Sequence, residues 1–312
     1  MFFQMLVGIS GSGKSTYAHY MKNTFLEPVE IVSSDSIREE LYGDESVQGN
    51  PNKVFRIMLA RTKRYLGEGK SVIYDATNLS DRRRINLLKE LKGYNCAKLC
   101  HVIIVDPRMC SENQKLRERH VSDEVIYRQV QQFRPPHLSE GWDAITMDVY
   151  APEDEKKYLE YFIEKAQNFD QHNPHHSYTL NDHLQKAFKE SIKYMDDKVS
   201  AAAAWHDFGK LMTQTFDSNK VAHYYSHENV SAYYYLLFEA ESISLNTVTC
   251  CDKANDGRYD YLDVAWLIAH HMDFYKDEKY LRKVYERVYK SPFGYELFSK
   301  LYYVHDCDER AH

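Results

Sequence analysis

The stretch Gly8–Thr16, "GISGSGKST", decides how the first half of this chain is read. Gly8-Ile9-Ser10-Gly11-Ser12-Gly13-Lys14-Ser15 satisfies G-x-x-x-x-G-K-[ST]. Glycines at 8, 11 and 13 let the backbone curl until consecutive N–H groups converge on phosphate oxygens. Ser10, Ser12 and Thr16 complete the polar lining, and a helix opening at Lys14 adds its positive N-terminal end. Lys14 supplies a cation for the β- and γ-phosphates, and the Ser15 hydroxyl suits Mg²⁺. The loop therefore predicts ATP with Mg²⁺, provided a strand precedes it and a helix follows.

That context is present. "FFQMLVGI" (2–9), "VEIVSSD" (29–35), "SVIYDAT" (71–77) and "KLCHVIIVD" (98–106) are short apolar runs of the kind buried in parallel sheets. "KSTYAHYMKN", "NKVFRIMLARTKRYLGEG" and "DRRRINLLKELKGY" between them have helical periodicity. This alternation predicts an α/β domain, a parallel sheet with helices on both faces, over residues 1–152. A charged helical linker follows at 153–172, and helical patterning then runs almost unbroken over 173–312, an all-α second domain. The chain of 312 residues is comfortable for two such domains.

Composition narrows the setting. Six cysteines form no C-x-x-C pair and no disulfide framework, and the N-terminal run enters the glycine loop without a basic flank, so a cytoplasmic protein with reduced thiols is expected. No apolar run approaches the roughly 20 residues needed to span a bilayer. Net charge is −6, with the acid surplus in the second half, which argues against a long nonspecific DNA-binding face while leaving room for a local basic track.

A phosphate loop does not name the acceptor. Asp35 stands at the carboxyl end of the second strand, where open α/β sheets keep their sites, and a carboxylate there can take a proton from an attacking hydroxyl. Arg38, three residues on, shares a helix face with it and can clamp a phosphate. The competing reading is that Asp35 or Ser34 only caps that helix. Asp75 ends the third strand, suited to Mg²⁺ or the acceptor, ahead of Arg82, Arg83 and Arg84, a run that reads equally as a solvated helix face.

In the second half "AAAAWHDFGKL" (201–211) sets His206 and Asp207 in the middle of an apolar helical run. A buried carboxylate costs several kcal/mol unless something pairs with it, and a metal ion would answer that need. The dipeptide alone is weak: the chain has 15 histidines and a second such pair, His305–Asp306. Further candidate ligands stand in order at His183, at His223 and His227, at His270 and His271, and at Asp306 or Asp308.

"GISGSGKST", "SSDSIREELYG", "VIYDATNLSDRRR" and "CSENQKLRERHVSDEVIYRQVQQFRPP", in that order, resemble the 5′-hydroxyl polynucleotide kinases of the P-loop superfamily over about residues 4–150. The resemblance implies Asp35 as general base, Arg38 on the acceptor phosphate, and Arg117 or Arg119 as the lid arginine on the ATP phosphates. "NPHHSYTLNDH", "WHDFGKLMTQTFD" and "AHYYSHENVSAYYY" resemble the HD superfamily of metal-dependent phosphohydrolases over roughly 172–312. That resemblance implies His183, His206, Asp207 and a late aspartate, with Asp308 and Asp306 both fitting, as core ligands. It adds His227 with His270 or His271 for a second metal, and Lys210 or that metal to stabilise charge during hydrolysis. The expected metals are Mn²⁺, Co²⁺, Ni²⁺, Zn²⁺ or Fe²⁺. Together the two halves imply an RNA end-healing enzyme acting on RNA or DNA ends, with a separate RNA ligase downstream, no membrane and a homodimer as one option. Two other readings stand beside it: a small-molecule or nucleoside kinase fused to an HD nucleotidase, and an ATP-sensing module whose HD half is structural.

Overall fold

The computed structural model describes residues 1–116, 121–172, 178–240, 248–249, 261–289, 291 and 294–311. The chain divides into two compact units: Met1–Gln129 with Glu140–Asp148 and Asn246–Lys253, and Val130–Ser139 with Val149–Leu245 and Ala254–His312.

The first unit follows the expected alternation: β1 (Phe2–Val7), α1 (Lys14–Thr24), β2 (Val29–Ser33), α2 (Ser34–Tyr42), α3 (Pro51–Gly67), β3 (Ser71–Asp75), α4 (Asp81–Glu90), β4 (Ala97–Val105), α5 (Pro107–Lys115), α6 (Asp123–Gln131) and β5 (Ala144–Tyr150). Strand order is β2-β3-β1-β4-β5, and β1 pairs parallel with β3 on one side and β4 on the other. The order reverses at β1, so the loop leaving its carboxyl end opens into the crevice where such sheets bind ligands. All of β3 and nearly all of β1 are buried, which is why they read as unbroken apolar runs. β5 was not expected. It lies at the sheet's far side and pairs antiparallel with Val248–Thr249, a partner about a hundred residues away that no local pattern could announce. Arg84, from the run expected as a solvated face, is buried and forms a bidentate pair with Glu140 at 2.9 and 2.6 Å.

The second unit is helical: α7 (Glu155–Gln167), α8 (Leu180–Ser191), α9 (Asp197–Trp205), α10 (Lys210–Thr213), a two-strand ribbon β6 (Thr215–Phe216) and β7 (Ala222–His223), α11 (His227–Glu239), α12 (Tyr261–His270), α13 (Glu278–Tyr289) and α14 (Gly294–Arg310). α11 and α12 are buried along almost their whole lengths and pack on each other, with α9 and α14 also against α12. Two boundaries differ from expectation. α7, expected as a linker, packs on α8 and α10, its Phe162 ring meeting Phe208 and Tyr234 edge-on. Residues 130–139 also belong to this unit: Phe133 packs edge-on to Tyr233, and His137 Nε2 lies 2.9 Å from Asp263 Oδ1. Burial of Phe162 and Ala166 on α7, and the Phe133–Tyr233 and His137–Asp263 pairings, set both segments against the helical core through partners distant in sequence.

Candidate functional sites

The phosphate loop runs from β1 into α1. Gly13 takes φ 88° at the cap of α1 and Gly11 takes φ 85°, and a Cβ on Gly11 would lie 2.5 Å from the Cys110 carbonyl oxygen, so glycine is required there. A cavity of about 270 Å³ opens at the loop, lined by Lys14, Ser15, Asp35, Arg38, Asp75 and Gln129 among others. Lys14 is buried, and its ammonium donates to the Ile9 carbonyl at 2.7 Å. Ser15 Oγ donates to Asp75 Oδ2 at 2.8 Å, which brings the hydroxyl and carboxylate suited to Mg²⁺ together. Burial pushes the Asp75 carboxyl above its ordinary value, against the pull of Lys14 and the Ser15 bond. Thr16 is exposed on α1.

Asp35 is not the cap of α2. Ser33 is, its side chain accepting from the Asp35 N–H at 3.2 Å. The Asp35 carboxylate instead faces the cavity and accepts from Arg38 Nη1 at 2.6 Å. Arg117 and Arg119 lie outside the described residues. The cavity also uses Arg83, from the run that read equally as a solvated face, and the loop is held by residues that the sequence did not single out. Arg83 sits over the Phe55 ring at 5.2 Å, and both line the cavity. Asn113 Nδ2 donates to the Gly11 carbonyl at 3.0 Å, and Gln129 holds Ser10. Gln129 is 119 positions from Ser10, so only the fold reveals it.

The helical unit gathers a second site. His183, His206, Asp207 and Asp308 form one buried group of ligand atoms, and Asp207, His227 and His271 form another, with Asp207 common to both. His183 Nε2 lies 3.1 Å from His206 Nε2, 3.3 Å from Asp207 Oδ2 and 3.2 Å from Asp308 Oδ1. On the other side, Asp207 Oδ1 faces His227 Nε2 at 3.0 Å and His271 Nε2 at 3.7 Å. Lys210 Nζ reaches Asp207 Oδ2 at 2.6 Å and Gln171 Oε1 at 2.9 Å.

The donor set fits metal ions. Nδ1 of His206, His227 and His271 each lies 2.7–2.8 Å from a main-chain carbonyl three residues earlier. A carbonyl only accepts, so each Nδ1 carries the proton and each Nε2 presents a lone pair to the cluster. Nε2 of His227 and of His271 is buried with no hydrogen-bond partner, the state expected of an imidazole shaped to ligate. Burial works against both charged carboxylates, yet Lys210 and the surrounding histidines hold Asp207 well below the usual range, and His183 and His206 do the same for Asp308. For His183 burial opposes the cation, but Asp207 and Asp308 outweigh it and push the imidazole up to about 9. Mixed imidazole and carboxylate ligands suit Mn²⁺, Fe²⁺, Co²⁺, Ni²⁺ and Zn²⁺.

Four details refine the sequence expectation. The His206–Asp207 pair is not mid-helix: α9 ends at Trp205. The bonds Phe208→Trp205, Lys210→Asp207 and Leu211→Phe208 are the tighter i→i−3 type. This turn passes close to α11, since a Cβ on Gly209 would lie 2.2 Å from the His227 carbonyl oxygen. His270 is not in the cluster. Its Nδ1 pairs with Asp273 Oδ2 at 2.5 Å and its ring stacks on Trp266. Neighbours on a helix diverge by ~100°, and although both rings are buried, that turn directs His270 to Trp266 and Asp273 while His271 reaches Asp207. Asp306 lies near the surface with Lys193, Tyr194 and Arg310, and Asp308 alone of the two joins the cluster. His223 pairs with Asp217 at 3.5 Å, half-exposed, outside the cluster.

Residues 4–136 match the AAA domain family, under half of the chain. No curated protein matches. Among solved structures, a chain of the Pnkp1/Rnl/Hen1 RNA repair complex is 23% identical over 42% of this chain and 43% of that one, with a TM-score of 0.38. The match thus spans less than half of that chain. A tunicamycin resistance protein of Deinococcus radiodurans is 16% identical over 42% of this chain and 79% of its own, TM-score 0.32. A gluconokinase of Sinorhizobium meliloti is 16% identical over 44% and 77%, TM-score 0.32. The first unit is a kinase-like P-loop domain. Its parallel sheet, its phosphate loop and the family match agree on that. No helix among the described residues is long and apolar enough to cross a membrane.

Proposed function

We propose that this chain is a bifunctional RNA end-healing enzyme. The first unit transfers the γ-phosphate of ATP to a 5′-hydroxyl end, and the second, an HD-type phosphohydrolase, removes a 2′,3′-cyclic, 2′- or 3′-phosphate from the opposite end. The observation that carries the reading is chemical division within one chain. One site pairs a phosphate loop with a carboxylate and a guanidinium facing the same cavity. The other is a buried cluster in which a single carboxylate, Asp207, joins two ligand groups.

In the first reaction Asp35 accepts the proton of the attacking hydroxyl as the new P–O bond forms and the bond to the departing ADP breaks. Arg38 fixes the Asp35 carboxylate and holds the phosphate next to the reactive end, and Lys14 steadies the charge on the migrating group. In the second site His183, His206, Asp207 and Asp308 would hold one metal, and Asp207, His227 and His271 another. Metals there would supply Lewis-acid polarisation of the phosphoryl oxygens. Lys210 orients Asp207 and brings a positive charge to the phosphate. A 5′-phosphate and a 3′-hydroxyl are the ends a separate RNA ligase consumes.

The test is incubation with ATP, Mg²⁺, Mn²⁺ and RNA bearing a 5′-hydroxyl and a 2′,3′-cyclic phosphate, followed by analysis of both ends. Conversion of both supports the reading. Phosphorylation of free nucleosides at a comparable rate, with RNA ends unchanged, overturns it in favour of a small-molecule kinase fused to a nucleotidase.

A further inference from the structure

The upstream arm of the phosphate loop is bound in an unusual way for a loop whose amides are meant for phosphate. Ser10 N–H donates to Gln129 Oε1 at 2.6 Å, and Gln129 Nε2 donates back to Ser10 Oγ at 3.0 Å. Both residues line the loop cavity. The first bond takes the Ser10 amide out of the phosphate cradle. The second fills an acceptor site of the Ser10 hydroxyl and leaves its own O–H as a donor, while the carboxamide keeps a second N–H. The pair therefore offers the cavity two donors, a surface that recognises anions.

Its location says which anion. The Lys14 ammonium reaches back to the Ile9 carbonyl at 2.7 Å, so this cation, which serves the outer phosphates, lies beside the residue preceding Ser10. The inner phosphates belong to the other arm, at the amides that open α1.

We infer that Ser10 and Gln129 form a recognition pair for the terminal phosphoryl group of the donor, setting selectivity for a nucleoside triphosphate over a diphosphate. The inference rests on the kinase reading of the first unit and is independent of the acceptor.

Binding of Mg²⁺ complexes of ADP and of a β,γ-imido ATP analogue, measured by calorimetry on the full chain, tests it without turnover. Gln129→Glu is the informative variant: its carboxylate still accepts the Ser10 N–H, but both side-chain donors are gone and a negative charge faces the phosphate. Gln129→Ala and Ser10→Ala remove the donors without that charge. The expected result is a triphosphate affinity about tenfold weaker in the alanine variants, the scale of one hydrogen bond to a charged group. Gln129→Glu should lose more, and ADP affinity should stay within about twofold throughout. Equal losses for both nucleotides would make Gln129 only a clamp on the loop and overturn the inference, as would wild-type affinity for the analogue in Gln129→Glu. A wild-type chain that binds neither nucleotide would overturn the kinase reading itself, and this inference with it.

Discussion

On the proposed reading, the two sites handle the same ligand chemistry by opposite means. At the loop cavity, charge is met mainly by backbone: glycines free the amides, one lysine folds back onto a carbonyl, and Asp35 keeps a side chain 40% exposed. Although Lys14 and Asp75 are buried, each has a partner inside the loop region, the Ile9 carbonyl and the Ser15 hydroxyl. The helical cluster inverts this. Its ligand groups are side chains almost wholly withdrawn from water, with two imidazole nitrogens that face Asp207 without a hydrogen bond. Withdrawing charge from water costs several kcal/mol unless it is paired, so this site stores stability that a cation releases. On that reading, one region would bind its ligand as a visitor and the other would hold its ligand as part of the core.

The contrast makes its largest prediction at Asp207 and Lys14. Asp207→Ala should remove 3′-end hydrolysis to the detection limit and lower the metal content of the purified protein by elemental analysis, while 5′-phosphorylation stays within about twofold. Lys14→Ala should do the reverse, since loss of the loop cation removes charge stabilisation at the migrating phosphoryl group. Loss of both activities in either variant would mean the sites are not separable. Asp35→Ala should follow Lys14→Ala, with kcat down by about 10²- to 10⁴-fold. Near-normal turnover would strip Asp35 of its role as base.

Removing metal sharpens the comparison next. A chelator should lower Tm through the helical unit, because stripping the cations leaves the buried Asp207 and Asp308 with only Lys210 and the His183 imidazolium to offset their charge. Lys14→Ala protein should show the same fall, since the loop contributes nothing to it. A chelator that leaves the melting curve unmoved would place the cluster's stability in Lys210 and protonated His183 alone.

How much of this was legible differs between the two regions for a physical reason. The loop motif is contiguous, and its geometry follows from eight residues plus the strand and helix beside them. Asp35, Arg38 and Asp75 were legible because strand ends are where such sheets keep their sites. Gln129 and Asn113 were not, being brought in from helices more than a hundred residues away. The cluster was legible as an ordered set of histidines and aspartates but not in phase. Choosing His271 over His270 depends on where α12 ends, and a shift of one residue turns a side chain by ~100°. Asp308 over Asp306 is set by which face of α14 is buried, shared with Leu301 and Val304. The division of the chain was legible as two domains, but 130–139 and α7 joined the helical unit through contacts that no local pattern carries.

The phase of α12 is the next, smaller test. His271→Ala should cost one metal equivalent and most of the hydrolysis, whereas His270→Ala should retain the metal and lose some stability instead, because the buried Asp273 Oδ2 loses its partner while Lys276 still holds Oδ1. Equal metal loss in both would put His270 back among the ligands.

The smallest effect belongs to the other His–Asp pair. Asp306 accepts hydrogen bonds from Arg310 Nε at 2.7 Å, Tyr194 Oη at 2.7 Å and Lys193 Nζ at 2.9 Å. The Arg310 bond leads in holding its carboxyl below the usual range, against the opposing effect of burial and with help from Tyr194 and Lys193. A folded-state pKa below the unfolded value gives stability that is complete above the ordinary aspartate pKa of about 3.9 and fades as pH falls below it. Asp306→Asn should therefore leave metal content and hydrolysis unchanged. It should lower Tm only slightly at pH 7, because the network lies near the surface where water and salt screen it. The difference from wild type should shrink at high ionic strength and again as the buffer is taken below pH about 4. His305 stacks on Phe274 at 4.8 Å, a packing role with no ligand in it. A loss of metal in Asp306→Asn as large as that in Asp308→Asn would mean that α14 turns the other face to the cluster, and that the two dyads of the chain had been assigned the wrong way round.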